Sequence, residues 1–424
     1  MINPDLIRPR FPALSSDAIF FDTPGGTQIC QKSIERMEYY FQHTNANHAG
    51  AFRTSRDSDA VVADARSAIA DFLNARRPEE IIFGQNMTSL TLHISRSLAR
   101  RLKRGDELVV TRLDHDANIA PWLLVAKDCG CTVRWVDFDP EDCTWDMEAL
   151  KQQVTSRTKI VAVGFASNAV GTINPVQEAV EIAHKAGAIC FIDAVQYAPH
   201  GPIDVQALDC DFLVWSAYKC FGPHVGILYG KYDLLDELTA YKVRPAGDAP
   251  PYKFETGTQS FEAIAGTLGA LEYLEWVGEM FGVEPGPQYA RFKGRRLTLK
   301  KAMAAIREYE RDLSRALIEK LKSVPGMHIR GITHLNQLDQ RVPTVSFTLE
   351  GWHPRQIVEV LDSENIYAWD GNYYALAVTE RLGLEDKGGM VRVGAAHYNT
   401  IAEVERLADI MRTFDSRQAP RRRG

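Results

Sequence analysis

The segment AICFIDAVQYAPHGPIDVQALDCDFLVWSAYKCFGPHVGILYG, residues 188–230, decides the fold. It holds three short apolar runs, Ile189–Ile192, Phe212–Trp215 and Val225–Tyr229, rich in β-branched and aromatic side chains. Runs of this length bounded by glycine, proline and aspartate read as strands buried on both faces. The first ends in Asp193, the second in Ser216, Ala217, Tyr218 and Lys219. A carboxylate and an ammonium at the ends of neighbouring buried strands are costly unless paired or liganded. They read either as a structural ion pair or as part of a ligand site. Gln196, Ser216 and the turn from Phe221 to His224 add polar groups around the same lysine. They lie on the side of a sheet where α/β proteins bind ligands.

Outward from this segment the chain alternates strand and helix. Upstream, Ile81–Leu90 (IIFGQNMTSL) reads as strand, tight turn and helix start. A helix N-terminus offers free N–H groups to an anion, although Thr88 or Ser89 also reads as an ordinary cap. Glu107–Thr111 begins a strand whose end carries His115 between Asp114 and Asp116. Strands at 132–136 and 159–164 follow, with helices at 146–153 and 176–186. That alternation specifies an α/β domain with a mostly parallel sheet. Residues 57–60 (DSDA) read as the cap of a helix running to Phe72. A first strand is expected at Ile19–Phe21, before DTPGG (22–26), whose glycines either admit a ligand or simply turn the chain. Downstream, a long amphipathic stretch (288–322), an alternating strand at 344–349, a helix at 354–364 and a strand at 390–394 describe a smaller α+β domain. The expected division is 19–295 for the large domain, with 1–18 and 296–424 forming the small one.

The 424 residues carry a net charge of −6, which gives nucleic-acid binding no electrostatic support. No apolar run approaches the roughly 18 residues of a membrane span, and residues 1–14 lack a signal-peptide apolar core. Seven cysteines without a zinc-type pair read as reduced and cytoplasmic, and no metal site is expected. Cys129 and Cys131 read as flanking a buried strand, and the basic tail 417–424 as a frayed end.

DAVQ (193–196), DVQALDCDF (204–212) and SAYKCFGPHVGILYG (216–230) together resemble the cofactor segment of class V aminotransferase-fold enzymes, above all the cysteine desulfurase-like family. The resemblance implies the fold type I architecture of pyridoxal 5′-phosphate (PLP) enzymes, with a large seven-stranded, mostly parallel sheet domain and a smaller C-terminal domain. It implies that Lys219 carries PLP, Asp193 keeps the pyridine nitrogen protonated and Gln196 meets the ring phenolate. Ser216, Thr88 and the Met87 backbone belong to the cofactor site by the same resemblance, and His115 lies flat on the ring. Asn168, in SNAVG (167–171), is placed near the substrate carboxylate, which Arg392 grips. Unaided, the sequence would put Arg392 on an exposed strand face; a planar guanidinium suits the two-pronged task. Thr258, in KFETGTQS (253–260), matches the loop that reaches the phosphate of a partner subunit, so a homodimer with shared sites is expected.

The resemblance breaks in one place. Desulfurases take sulfur on a cysteine of a C-terminal loop, and the matching loop here is IYAWDGNYYAL (366–376). Tyr374 stands at about that position, and no cysteine follows Cys220. Trp369 and Tyr218 also depart from the desulfurase pattern. A phenol has no sulfur affinity and cannot replace the thiol. The expectation is therefore a PLP-dependent enzyme that generates a Cα carbanion on a small L-α-amino acid. It would act as a lyase, by β-elimination or decarboxylation, and not as a persulfide-forming desulfurase. Lys219 would serve as general base, with His115 and Tyr374 as proton donors. An aminotransferase or amino-acid epimerase is the alternative, and a non-catalytic PLP-binding scaffold the alternative of another class.

Overall fold

A computed structural model describes residues 1–414, so the tail 417–424 lies outside the described residues. The large sheet is built from β1 (Ile81–Gly84), β2 (Glu107–Thr111), β3 (Thr132–Val136), β4 (Thr158–Gly164), β5 (Ile189–Asp193), β6 (Phe212–Ser216) and β7 (Gly226–Gly230). Its order is β1-β7-β6-β5-β4-β2-β3. Only β7 runs against its neighbours, pairing antiparallel with both β6 and β1. The three central runs are buried on both faces, as their composition requires. Ile192, Leu213 and Ile227 point into one core, while Phe191, Phe212 and Leu228 point into the other.

The second sheet contains β8 (Met327–Arg330), β9 (Thr344–Leu349), β10 (Trp369–Gly371) and β11 (Met390–Gly394), antiparallel in the order β10-β11-β9-β8. Helices Gly294–Lys322, Pro354–Ser363 and Ile401–Met411 close a separate core around Leu317, Val345, Phe347, Ile357, Val391 and Leu407. Residues Ile19–Phe20 pair in parallel with Ile366–Tyr367, and Phe21 is buried in this same core.

Four local expectations need correcting. The helix expected to be capped by residues 57–60 spans Arg53–Leu73 and has no side-chain cap. Ser55 instead donates to the Asn47 carbonyl, and Ser58 meets the Tyr40 hydroxyl, so these polar residues face inward. The helix beginning at Met87 is capped by Asn86, whose Oδ1 accepts from the Ser89 N–H at 2.9 Å, and not by Thr88 or Ser89. The strand after Cys131, β3, is the edge of the sheet and is only partly buried, with Val136 alone fully in the core. Finally, β9 is nearly all buried, because β8 and β11 flank it and helices cover it.

Candidate active site

The C-terminal ends of the large sheet's parallel strands open into a cavity of about 1190 Å³, roofed by residues 369–374, 388–389 and 392 of the second sheet's side. Parallel pairing sets Asp193 at the end of β5, beside Val214 of β6 and Gly164 of β4. Lys219 follows β6 by three residues, on a short turn that brings its amine to the cavity wall. There Lys219 Nζ donates to the carbonyl of Pro24. Burial, reinforced by Arg392, pushes the Lys219 amine down to about 7, against the pull of Asp193 and Asp22. Burial likewise raises Asp193 to about 6, while the Val195 N–H and Lys219 hold it back.

One end of the cavity is the start of helix Met87–Ala99. Ser216 Oγ accepts from the Met87 N–H at 2.9 Å, and Asn86 takes the Ser89 and Leu90 N–H groups. The Thr88 N–H has no partner among the described residues and is the free donor of that turn. Met87, expected to lend its backbone, has its N–H occupied by Ser216. Gly226 explains how the turn comes so close: a Cβ there would lie 2.4 Å from the Asn86 carbonyl carbon. The open question of DTPGG has a similar answer. A Cβ on Gly25 would meet the Trp369 indole nitrogen at 2.2 Å, so this glycine lets the turn pack against the roof.

His115 stands past the end of β2, with Nδ1 accepting from the Ala117 N–H at 3.0 Å. That bond places the ring proton on Nε2. Burial, with Lys219 and Arg392 nearby, pushes His115 down to about 4, so the ring is neutral. Its neighbour Asp114 is buried between Thr111 and Asn118, at 2.7 and 2.8 Å, and burial raises it to about 7. Tyr374 lies at the cavity lip, 75% exposed, its ring stacked on His115.

Arg392, in the middle of β11, is buried and not on an exposed face. One of its terminal nitrogens donates to the Asn168 carbonyl at 2.8 Å, and its guanidinium lies 4.2 Å from the Tyr373 ring centre. Its Nε has no partner. Asn168 gives its amide N–H to the Tyr373 carbonyl at 2.9 Å and leaves Oδ1 unpaired. Gln196 is bound to the Thr344 hydroxyl at 3.0 Å with its oxygen unpaired. Because a hydroxyl both donates and accepts, that amide can turn over and present its NH₂ to an anionic oxygen. Thr258 is not brought to this cavity. It lines a neighbouring one of about 630 Å³ that shares Ser89, Leu92 and His224 with the first. Sequence reasoning missed Tyr373, Asp114 and the Pro24 carbonyl; only the doubled tyrosine at 373–374 and the aspartate beside His115 hinted at the first two.

The donor set fits PLP. It provides a desolvated amine, a buried carboxylate, a free helix N–H and unpaired amide and guanidinium atoms around one cavity. Fold and site together define a PLP-dependent enzyme of fold type I. The chain belongs to the class V aminotransferase family, whose model matches residues 19–283 and 293–407. It is 34% identical to a cysteine desulfurase of Synechococcus elongatus over 97% of this chain, and it spans 63% of that relative's length. It is 33% identical to the aminotransferase-like protein FGM3 of Gibberella zeae, over 95% of this chain and 96% of that one. Among solved structures it resembles the apo cysteine desulfurase of Thermococcus onnurineus (TM-score 0.86, 26% identity, 97% of this chain and 98% of that one). The Escherichia coli cysteine desulfurase CsdA is also similar (TM-score 0.81, 26% identity, 97% and 98%). No helix of the described residues is long and apolar enough to cross a membrane.

Proposed function

We propose that this chain is a PLP-dependent lyase that breaks a bond at or next to Cα of a small L-α-amino acid, without forming a protein persulfide. The observation that carries the reading is the cavity's lining: Lys219, Asp193, Thr88, Asn168 and Arg392 are part of it, and no cysteine is. Lys219 would hold the cofactor and would be the base at Cα, a role suited to an amine held near neutrality. Asp193 pairs with the pyridine nitrogen, and the Thr88 N–H and Ser216 turn hold the phosphate. Bound there, PLP withdraws the electrons left at Cα. Arg392 takes the substrate carboxylate with its unpaired Nε–H, and Asn168 stands beside it, its carbonyl held by the same guanidinium. Neutral His115, protonated on Nε2, would lie against the cofactor ring, with its in-plane N–H free to donate at the ring's edge.

Relatives named cysteine desulfurase set the contrary expectation. Against it stand the placement of all seven cysteines at or before 220 and the tyrosine at the roof loop's tip. All seven are free thiols, which supports a cytoplasmic setting. The test is to incubate the holoenzyme with L-cysteine under reducing conditions and measure alanine, pyruvate, sulfide and protein persulfide together. Any sulfide is expected with pyruvate and without persulfide. Alanine formed at the rate of sulfide release, with a persulfide mapped to one of the cysteines, would restore desulfurase as the function. A panel of small amino acids should perturb the cofactor's visible absorption; no perturbation by any of them would leave a scaffold.

A further inference from the structure

We infer that Tyr374 is a positioning residue that fixes the plane of the His115 ring, and that its hydroxyl is not a proton donor. The inference rests on the reading of His115 as the residue lying on the cofactor's face. The two rings are 5.7 Å apart between centres and 19° from parallel, the geometry of an offset stack. Tyr374 covers the imidazole from the lip, so one face of His115 is occupied and the other is left to the cavity.

The imidazole needs such a partner. Its only hydrogen bond among the described residues is Nδ1 to the Ala117 N–H. One in-plane bond fixes the tautomer but leaves the ring free to tilt about it. A ring packed against the outer face removes that freedom. The phenol oxygen, by contrast, has no hydrogen-bond partner among the described residues, and the side chain is mostly in solvent. Proton delivery from such a group would have no advantage over water.

The loop is built to hold the ring in place. Tyr373 and Tyr374 both have left-handed backbones, φ 56° and 59°, a strained conformation for aromatic residues. Strain of this kind persists where the surroundings over-determine it. Here the Tyr374 carbonyl accepts from the Asp116 N–H at 2.7 Å, and the Tyr373 carbonyl accepts from Asn168 at 2.9 Å. Asn372 accepts from the Tyr374 N–H at 3.1 Å. Asp116 adjoins His115 in sequence, so the same contact ties the tyrosine's backbone to the histidine's own turn.

The test compares Tyr374→Phe with Tyr374→Gly. Glycine accepts positive φ, so it removes the ring while sparing the loop. Histidine-selective ¹³C labelling, with His115 assigned through His115→Gln, reports the ring with and without PLP. Visible circular dichroism reports the cofactor's setting. In the parent protein, PLP should shift the His115 resonances; no shift would remove the reading of His115 itself. The shift and the dichroism should persist in the Phe variant. In the Gly variant the shift should fall by half or more, the dichroism several-fold, and turnover should be at least tenfold lower than in the Phe variant. A PLP-induced shift that survives intact in Tyr374→Gly would overturn the positioning role. Equal turnover losses in both variants, with the His115 signals unchanged, would make the hydroxyl the proton donor.

Discussion

Lys219 shows how much of this site is carried by one desolvated group. Its amine faces a carbonyl and an arginine in place of water, and burial holds it near 7 against an ordinary value of 10.5. Only the unprotonated amine attacks an aldehyde. The rate at which apoprotein captures PLP should therefore rise about tenfold per pH unit up to about 7 and flatten above it. Stopped-flow absorbance checks this; a rate still climbing steeply at pH 9 would show an ordinary lysine. The sign for stability is also fixed. The folded value lies below the unfolded one, so the unfolded chain binds more protons between about 7 and 10.5. Stability of the apoprotein from this group increases with pH across that window. At this scale the sequence was informative about residue type and silent about contact. Arg392 was read as a carboxylate ligand only through the resemblance, while the sequence alone suggested an exposed strand face. Its seat, against the Tyr373 ring and the Asn168 carbonyl, depends on how two distant segments meet.

Among the elements, the loop that carries Asn168 is held from the other side of the site by Arg341. This buried arginine donates to the carbonyls of Ile332, Thr344 and Val170. Ser346 adds a bond to the Ala169 carbonyl, and the Ile173 N–H donates to the Gln340 carbonyl. Asn168 and Arg392 are therefore fixed relative to each other across a stitched seam. Arg341→Met should leave three carbonyls unpaired, at about 1–3 kcal/mol each, and cost about 3 kcal/mol or more of stability. Amino-acid affinity should fall with it, because the Asn168 loop loses its anchor. Urea unfolding and substrate titration measure both; a change below about 1 kcal/mol with intact affinity would reduce Arg341 to packing. The strands of the large sheet were legible because apolar runs bounded by turn residues admit few other structures. Helix Arg53–Leu73 was misread at its start because residues 57–60 resemble a cap but lie inside the helix, where Ser58 bonds to the Tyr40 hydroxyl instead. The pairing of Ile19–Phe20 with Ile366–Tyr367 spans most of the chain, and no local pattern announces it.

At the scale of the whole molecule, several large apolar side chains stand exposed. Phe41, Phe52, Tyr241 and Tyr252 are about half exposed, and Val243 is 70% exposed. Tyr241 lines the second cavity, the one that also holds Thr258. Exposed apolar side chains are what a subunit interface would cover. We propose, from the family resemblance, that a second copy covers them and that its Thr258 completes the phosphate site. The free Thr88 N–H agrees with a site that gains a further ligand. On this reading the protein is a homodimer, and PLP retention depends on it. Phe52→Asp combined with Tyr252→Asp should shift the sedimenting species towards the 47.5 kDa monomer. The monomer should lose PLP on dialysis while its far-ultraviolet dichroism stays native. Thr258→Val in the dimer should weaken PLP by about tenfold to a hundredfold, since a charge-assisted hydrogen bond contributes about 1.5–3 kcal/mol. The two variants separate assembly from ligation: dimers of Thr258→Val that hold PLP as tightly as the parent would remove Thr258 from the site. A monomer with full PLP occupancy would remove the shared site altogether.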